Sequence, residues 1–548
     1  MGQDMFLIGS PGPERRRLAF RFAEILNREV EYLPITRDTS ESDLKQRREL
    51  RGGGVAFVDQ APVRAALHGR LLIIDGIERA ERNVLPTLNN LLENREMNLE
   101  DGRTMVSHRH WQSLTARYSA ADLTAKNIVP VSPNFLVIAL GVAVPKYRGF
   151  PLDPPLRSRF QCRKVDDPSP ECEFELLSAL FPNIPHSRRV GLVKISATLR
   201  ALSENGVVSN ALCFSSSSLL RVASLINIFP HMSSRDALTR MLPVFAVDGT
   251  LQPANSGAWS TPATSANSWS NAIHDVSLDY DNQIQKLFSP TDYASDSPGS
   301  ATIFQAGFEP VSLSLPTPPV PGKSSAAIAQ QSLSSAQRML IAYLLQDVAA
   351  GAHVAIIGPP GCGKSSLLKH ACSLLGMPQP HIMHLYRDMT SRDLLLRRVS
   401  LEDGSTGWEP SLLVQAALAG QYVILDGLHR LQSDTLSSLS SLLLDGFCSL
   451  SDGRILTRHD RWMKLRQNCV DDDELLARGV FPILPSFRVF GTSSGIPVSS
   501  GGGSLQTPWM TAETSQCLVH LNSCDLCVVH CCCRRFICIS RVPNRPTG

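Results

Sequence analysis

Gly358-Pro359-Pro360-Gly361-Cys362-Gly363-Lys364-Ser365 is a complete G-x-x-x-x-G-K-[ST] run, and it dictates what must surround it. The apolar stretch from His353 to Ile357 reads as a buried strand before it, and Ser366 to Leu375 reads as a helix after it. Three glycines let successive backbone N–H groups turn inward around a phosphate, and the helix N-terminus adds partial positive charge. In that setting Lys364 reaches the β/γ oxygens, and the Ser365 hydroxyl is a ligand for Mg²⁺. A glycine-rich turn that merely joins strand to helix is the plainer alternative.

Residues 5 to 166 repeat this neighbourhood at a spacing of roughly 350 residues. Phe6-Leu7-Ile8-Gly9-Ser10-Pro11-Gly12 answers Ala355-Ile356-Ile357-Gly358-Pro359-Pro360-Gly361, and R-D-x-[ST]-x-x-D-L occurs at Arg37–Leu44 and Arg387–Leu394. Leu71-Leu72-Ile73-Ile74-Asp75-Gly76 answers Tyr422-Val423-Ile424-Leu425-Asp426-Gly427, and Leu99-Glu100-Asp101-Gly102-Arg103 answers Leu450-Ser451-Asp452-Gly453-Arg454. Apolar strands alternate with helical patterns, so two tandem α/β modules, each a parallel sheet covered by helices, are expected. An apolar run ending in aspartate about 67 residues after each loop is a Walker B strand, whose carboxylate holds a Mg²⁺-bound water. Asp426 is thus a candidate for both metal binding and catalysis. Ser494, near the end of the last strand, is the candidate polar sensor, with Thr492 and Ser493 competing for the role.

The first module departs from this chemistry. It has Glu14-Arg15-Arg16 where the second has Gly363-Lys364-Ser365, so a carboxylate faces the phosphates and no hydroxyl serves Mg²⁺. Its site is expected to be weak or empty. It does keep Pro154-Pro155-Leu156-Arg157-Ser158-Arg159-Phe160. Arg159, with Arg157 behind it, is the candidate finger for neutralising a neighbour's γ-phosphate, against the plainer reading of surface arginines closing a helix. In the second module Gly427 stands where a hydrolytic site usually has glutamate; His429 is a possible substitute, or else a solvent-facing histidine.

The expected order is a first module at 1–165, a helical lid at 166–247, a Ser/Pro-rich low-complexity linker at 248–330, a second module at 331–516, and a cysteine-rich tail at 517–548 that looks foreign to the fold. Short strands are expected near Ala301 to Leu315, and Arg235 could point at a nucleotide from the lid. In the tail, Cys524-x-x-Cys527-x-x-x-Cys531 has zinc-like spacing. Asp38-Thr39-Ser40-Glu41-Ser42 fits a D-x-S-x-S metal pattern but follows a poor strand and reads better as a polar loop. Charged residues are 19% and the net charge is +3, which gives no global argument for nucleic acid. No apolar stretch reaches the ~18 residues of a membrane span, and no targeting segment precedes the first strand.

Both modules resemble the AAA+ ATPases of the dynein-related and MoxR class. The resemblance rests on Leu7 to Arg17, Ala80 to Met97, Asp153 to Gln161 and Leu425-Asp426-Gly427-Leu428-His429-Arg430. It implies binding and hydrolysis of ATP with Mg²⁺, a protein partner or self-assembly into a ring, and association with mitochondria. It also implies further AAA+ units and a C-terminal von Willebrand A domain, which this chain does not contain.

Overall fold

The protein is described by a computed structural model, which covers residues 3–204, 215–238, 290–318, 333–494 and 526–530, less scattered single positions and short gaps. Two sheets dominate. In the first, the order is Gln161–Val165, Met5–Gly9, Leu136–Val142, Leu71–Asp75, Val30–Pro34, with every pair parallel. In the second, Leu526–His530, His353–Gly358, Arg488–Ser494, Tyr422–Asp426 and His381–His384 repeat that order, again all parallel. Strands buried on both faces need continuous apolar runs, and Leu71 to Ile74 and Val423 to Leu425 supply them, each at most 1% exposed. The α/β expectation holds in both modules.

The repeated landmarks now have physical reasons. R-D-x-[ST]-x-x-D-L is a capping box: the backbone N–H groups of Ser40 and Thr390 donate to Asp43 and Asp393 three residues on, starting the short helices Glu41–Leu44 and Ser391–Leu395. The D-x-S-x-S pattern is therefore a helix start. L-x-D-G-R is a tight turn, in which the Arg103 and Arg454 N–H groups donate to Asp101 and Asp452 while Gly102 and Gly453 take positive φ.

Contacts divide the chain into two units that cut across the sequence modules. One comprises Met1–Pro168, Met389–Val414 and Ser437–Pro482; the other comprises Ser169–Asp388, Gln415–Leu436 and the residues from Ile483 onward. Within the first unit, the antiparallel hairpin Gln46–Arg51/Gly54–Asp59 meets its duplicate, Leu396–Ser400/Thr406–Pro410. Trp408 Nε1 donates to Glu49, and the Arg47 guanidinium lies over the Trp408 ring. The core of this unit is an apolar cluster including Ile35, Leu44, Ile74, Leu91 and Val137.

Within the second unit lie the lid helices Pro170–Leu180, His186–Glu204 and Ser216–Ile228, so contacts place the lid with the second sheet. Glu173, 1% exposed, holds the three together by pairing with Arg200 and accepting from Ser216. The strands expected near Ala301 to Leu315 are present as an antiparallel sheet of Pro290–Ser297, Ser300–Gln305 and Val311–Ser314. The rest of the linker and Arg235 lie outside the described residues, as do Cys524 and Cys531 of the zinc-like pattern, while Cys527 falls in the strand Leu526–His530. Within the tail set apart on sequence, Leu526–His530 pairs with His353–Gly358 just as Gln161–Val165 pairs with Met5–Gly9. An apolar run beside an otherwise unpaired strand edge satisfies backbone groups that would be orphaned.

His353 opens the central strand and is buried; its Nδ1 accepts the Val489 N–H at 2.9 Å. Burial, with the charges of Arg488 and Arg221 adding to it, lowers its pKa from the ordinary 6.5 to about 3. A group whose folded pKa lies below its unfolded pKa binds fewer protons when folded, so its effect is to erode stability as pH falls from about 6.5 toward 3. Urea midpoints should show this unit losing about 2 kcal/mol between pH 7 and pH 5 from His353. In His353→Asn, where an amide oxygen can accept the Val489 N–H without titrating, that part of the pH slope should vanish.

Candidate nucleotide site

The second unit brings the P-loop, the Walker B strand and the last strand of its sheet to one edge. Gly361 and Gly363 adopt φ of +82° and +84°, and nothing lies within 4 Å of a Cβ added at Gly361. The loop is thus held open in the left-handed region that glycine alone enters freely. The helix Lys364–Leu374 begins at once, so its first N–H groups point into the loop. Lys364 Nζ donates to the Gly358 carbonyl at 2.9 Å and lies 3.8 Å from Cys362 Sγ, folded over the loop it serves. Pro359 and Pro360 lie outside the described residues.

Ser365 Oγ, exposed, sits 3.5 Å from Asp426 Oδ1. Neighbouring oxygens around an octahedral Mg²⁺ lie about 3 Å apart, so this hydroxyl and carboxylate are spaced suitably to hold a Mg²⁺ ion. Thr492 Oγ1 donates to Asp426 Oδ1 at 2.5 Å and accepts the Gly427 N–H at 3.1 Å. Asp426 Oδ2 faces His384 Nδ1 at 3.3 Å. The Thr492 hydrogen bond, opposed by partial burial and helped by His384, holds the Asp426 carboxyl below the usual carboxylate range.

Thr492, one of the two competitors for the sensor role, is therefore the residue bonded to the Walker B aspartate. Ser494, the first choice, enters through its backbone: its N–H donates to His429 Nδ1 at 3.1 Å. His384 was not singled out from sequence, and its place at the end of a strand beside Tyr422–Asp426 was the signal available. Arg159 is not among the residues brought together here. It lies in the first unit, where it pairs with Glu93 and donates to the Pro155 carbonyl.

The corresponding site in the first unit is filled by its own side chains. Arg16, at the place of Ser365, lies 3.6 Å from Asp75 and 2.9 Å from Asp445, and is 5% exposed. Arg15, at the place of Lys364, donates to the Gly141 carbonyl. Tyr32 donates to Asp75 at 2.6 Å. Burial alone would raise the Asp75 pKa, yet Arg16, Arg79, Tyr32 and Arg15 together outweigh it and keep the carboxyl low. A guanidinium thus neutralises the carboxylate that a metal-bound water would otherwise face. The strand positions matching Thr492 and Ser494 are Leu140 and Val142, which offer no side-chain polar atom.

Both Walker B aspartates precede a glycine in the left-handed region, Gly76 at φ +79° and Gly427 at φ +92°, and a 3₁₀ turn follows each. The glycine at this position is thereby explained: the chain turns where a residue with a Cβ is strained.

Comparison with known proteins bears on the whole arrangement. The model of the AAA domain, dynein-related subfamily, matches residues 4–160 and 353–507, more than half of the chain. The mouse von Willebrand factor A domain-containing protein 8 is 38% identical over 530 residues, which is 94% of this chain and 26% of the mouse protein. The chain thus spans about a quarter of that relative's length. Protein NorQ of Paracoccus denitrificans is 25% identical over 219 residues, 39% of this chain and 72% of its own. Among solved structures, a putative ATPase from Cytophaga hutchinsonii aligns with a TM-score of 0.24 at 13% identity, covering 42% of this chain and 72% of its own.

Restoring the glutamate should fail. Gly427→Glu places a side chain at φ +92° with its Cβ 3.1 Å from Arg430, at a cost of about 1–2 kcal/mol. Denaturant titration should show that loss, and phosphate release should not rise above that of the unaltered protein.

Proposed function

The chain belongs to the dynein-related subfamily of AAA domain proteins, and from that premise we propose that it binds one Mg²⁺–ATP at the second module and hydrolyses it slowly. The observation that carries the reading is the intact loop of Gly361, Gly363, Lys364 and Ser365 opposite Asp426, set against a first site packed with Arg15 and Arg16. Lys364 would exchange the Gly358 carbonyl for the phosphates, the helix start and loop N–H groups would receive the phosphate oxygens, and Ser365 and Asp426 would hold the metal. Mg²⁺, when bound, would supply charge neutralisation for the phosphates.

Turnover is coupled, in this reading, to remodelling or assembly of a protein partner in mitochondria. The mitochondrial location rests on the family resemblance alone, and fractionation of cells expressing the chain tests it. Ring assembly is the usual way such modules receive a finger arginine, and Arg159 is the residue of this chain suited to that task in a neighbour.

Gly427 in place of glutamate favours a second reading, a nucleotide-gated assembly module that binds ATP with little turnover. Steady-state phosphate release separates the two. A slow rate abolished by Lys364→Ala supports the ATPase; release equal to buffer, with labelled ATP still bound by the unaltered protein, leaves the gated module. Absence of binding overturns both. Native mass measured with and without ATP should show assembly that depends on nucleotide and fails in Lys364→Ala.

A further inference from the structure

The residue after Asp426 cannot polarise water, but the next turn of chain brings up a ring that can contact it. We propose that His429 is a catalytic residue of the second site, donating a hydrogen bond from Nε2 to the γ-phosphate or the attacking water. This rests on the reading that the site binds ATP. Gly427, at φ +92°, starts a single 3₁₀ turn, Leu428–Arg430, and this turn carries His429 beside the end of the strand Arg488–Ser494.

There His429 Nδ1 accepts the Ser494 N–H at 3.1 Å. A neutral imidazole has one donor and one acceptor nitrogen. With Nδ1 committed as the acceptor, the proton sits on Nε2, which has no hydrogen-bond partner among the described residues. Burial, aided by the charges of Arg430 and Lys364 and opposed by Asp426, lowers the ring's pKa and keeps it neutral. Ser494, which the ring contacts, is paired with Gly358, whose carbonyl accepts from Lys364, so the ring stands at the strand edge that carries the P-loop.

The tautomer decides the chemistry. A ring that already has its proton on Nε2 cannot take one from water there, so His429 does not replace the glutamate as a base. It offers a donor, which stabilises charge on the transferring phosphoryl oxygens or orients the water. The site is then one that recognises the transition state without a strong base, consistent with slow turnover. The backbone of Ser494 acts as the positioning group that fixes the ring.

Two replacements separate the two nitrogens. His429→Asn keeps an acceptor near the Nδ1 position and loses the distal donor; His429→Gln keeps a donor near the Nε2 position and loses the acceptor for Ser494. Affinities for ADP and for ADP with fluoroaluminate, a mimic of the transferring phosphoryl group, are measured on the whole chain with Mg²⁺. The unaltered protein should gain affinity with fluoroaluminate; His429→Asn should lose that gain by about tenfold or more with ADP affinity unchanged, and His429→Gln should keep most of it. The proposal is overturned if His429→Asn keeps the full gain, if the unaltered protein binds ADP but gains nothing, or if both variants lose ADP binding, which marks a structural role. Failure of the unaltered protein to bind ADP or ATP at all instead sinks the nucleotide-binding reading.

Discussion

A carboxylate at the rim of a parallel sheet has to be neutralised, and what neutralises it separates the two halves of this chain. Asp75 and Asp426 end equivalent strands in sheets of identical order. Asp75 meets the buried guanidinium of Arg16 and the hydroxyl of Tyr32. Among the described residues, Asp426 has hydrogen-bond contacts with two hydroxyls and a histidine, and no guanidinium pairs with it directly as Arg16 does with Asp75. A buried guanidinium cannot shed its proton, and removing it would strand the carboxylates around it. The first site is therefore closed by its own side chains, while the carboxylate of the second faces hydroxyls and an imidazole.

The same duplication explains why sequence spoke clearly about architecture. Two copies of each landmark let a weak signal, such as an apolar run ending in aspartate, be read twice at one spacing. The P-loop, the Walker B strand and the capping boxes are local patterns, fixed by residues within one turn or strand, and they appear where the sequence places them. Contacts between distant stretches were not legible. Nothing near Asp445 announces that it pairs with Arg16, and nothing in the lid sequence announces that Ser169 onward groups with the second sheet. The choice among Thr492, Ser493 and Ser494 was also beyond sequence, because alternation along a strand fixes faces only once the register is known. The strand Leu526–His530 was hidden by its cysteine-rich surroundings.

Backbone conformation accounts for the most unusual feature of the working site. Glycine after the aspartate is often treated as loss of a catalytic group. Here it is the residue the turn demands, since φ of +79° and +92° at Gly76 and Gly427 recurs beside the intact P-loop and beside the arginine-filled first site. The turn serves the fold in both modules. In the second it also delivers His429 to the strand end, so a structural requirement and a chemical one are met by the same short segment.

The central claim, that one site takes nucleotide and its twin is filled by the chain's own arginines, is tested most directly by the stoichiometry of Mg²⁺–ATP binding to the whole chain in titration calorimetry. The account predicts one equivalent per chain for the unaltered protein, none for Lys364→Ala, and still one for Arg16→Ala if that variant folds. Two equivalents per chain, or one that survives Lys364→Ala, would contradict it.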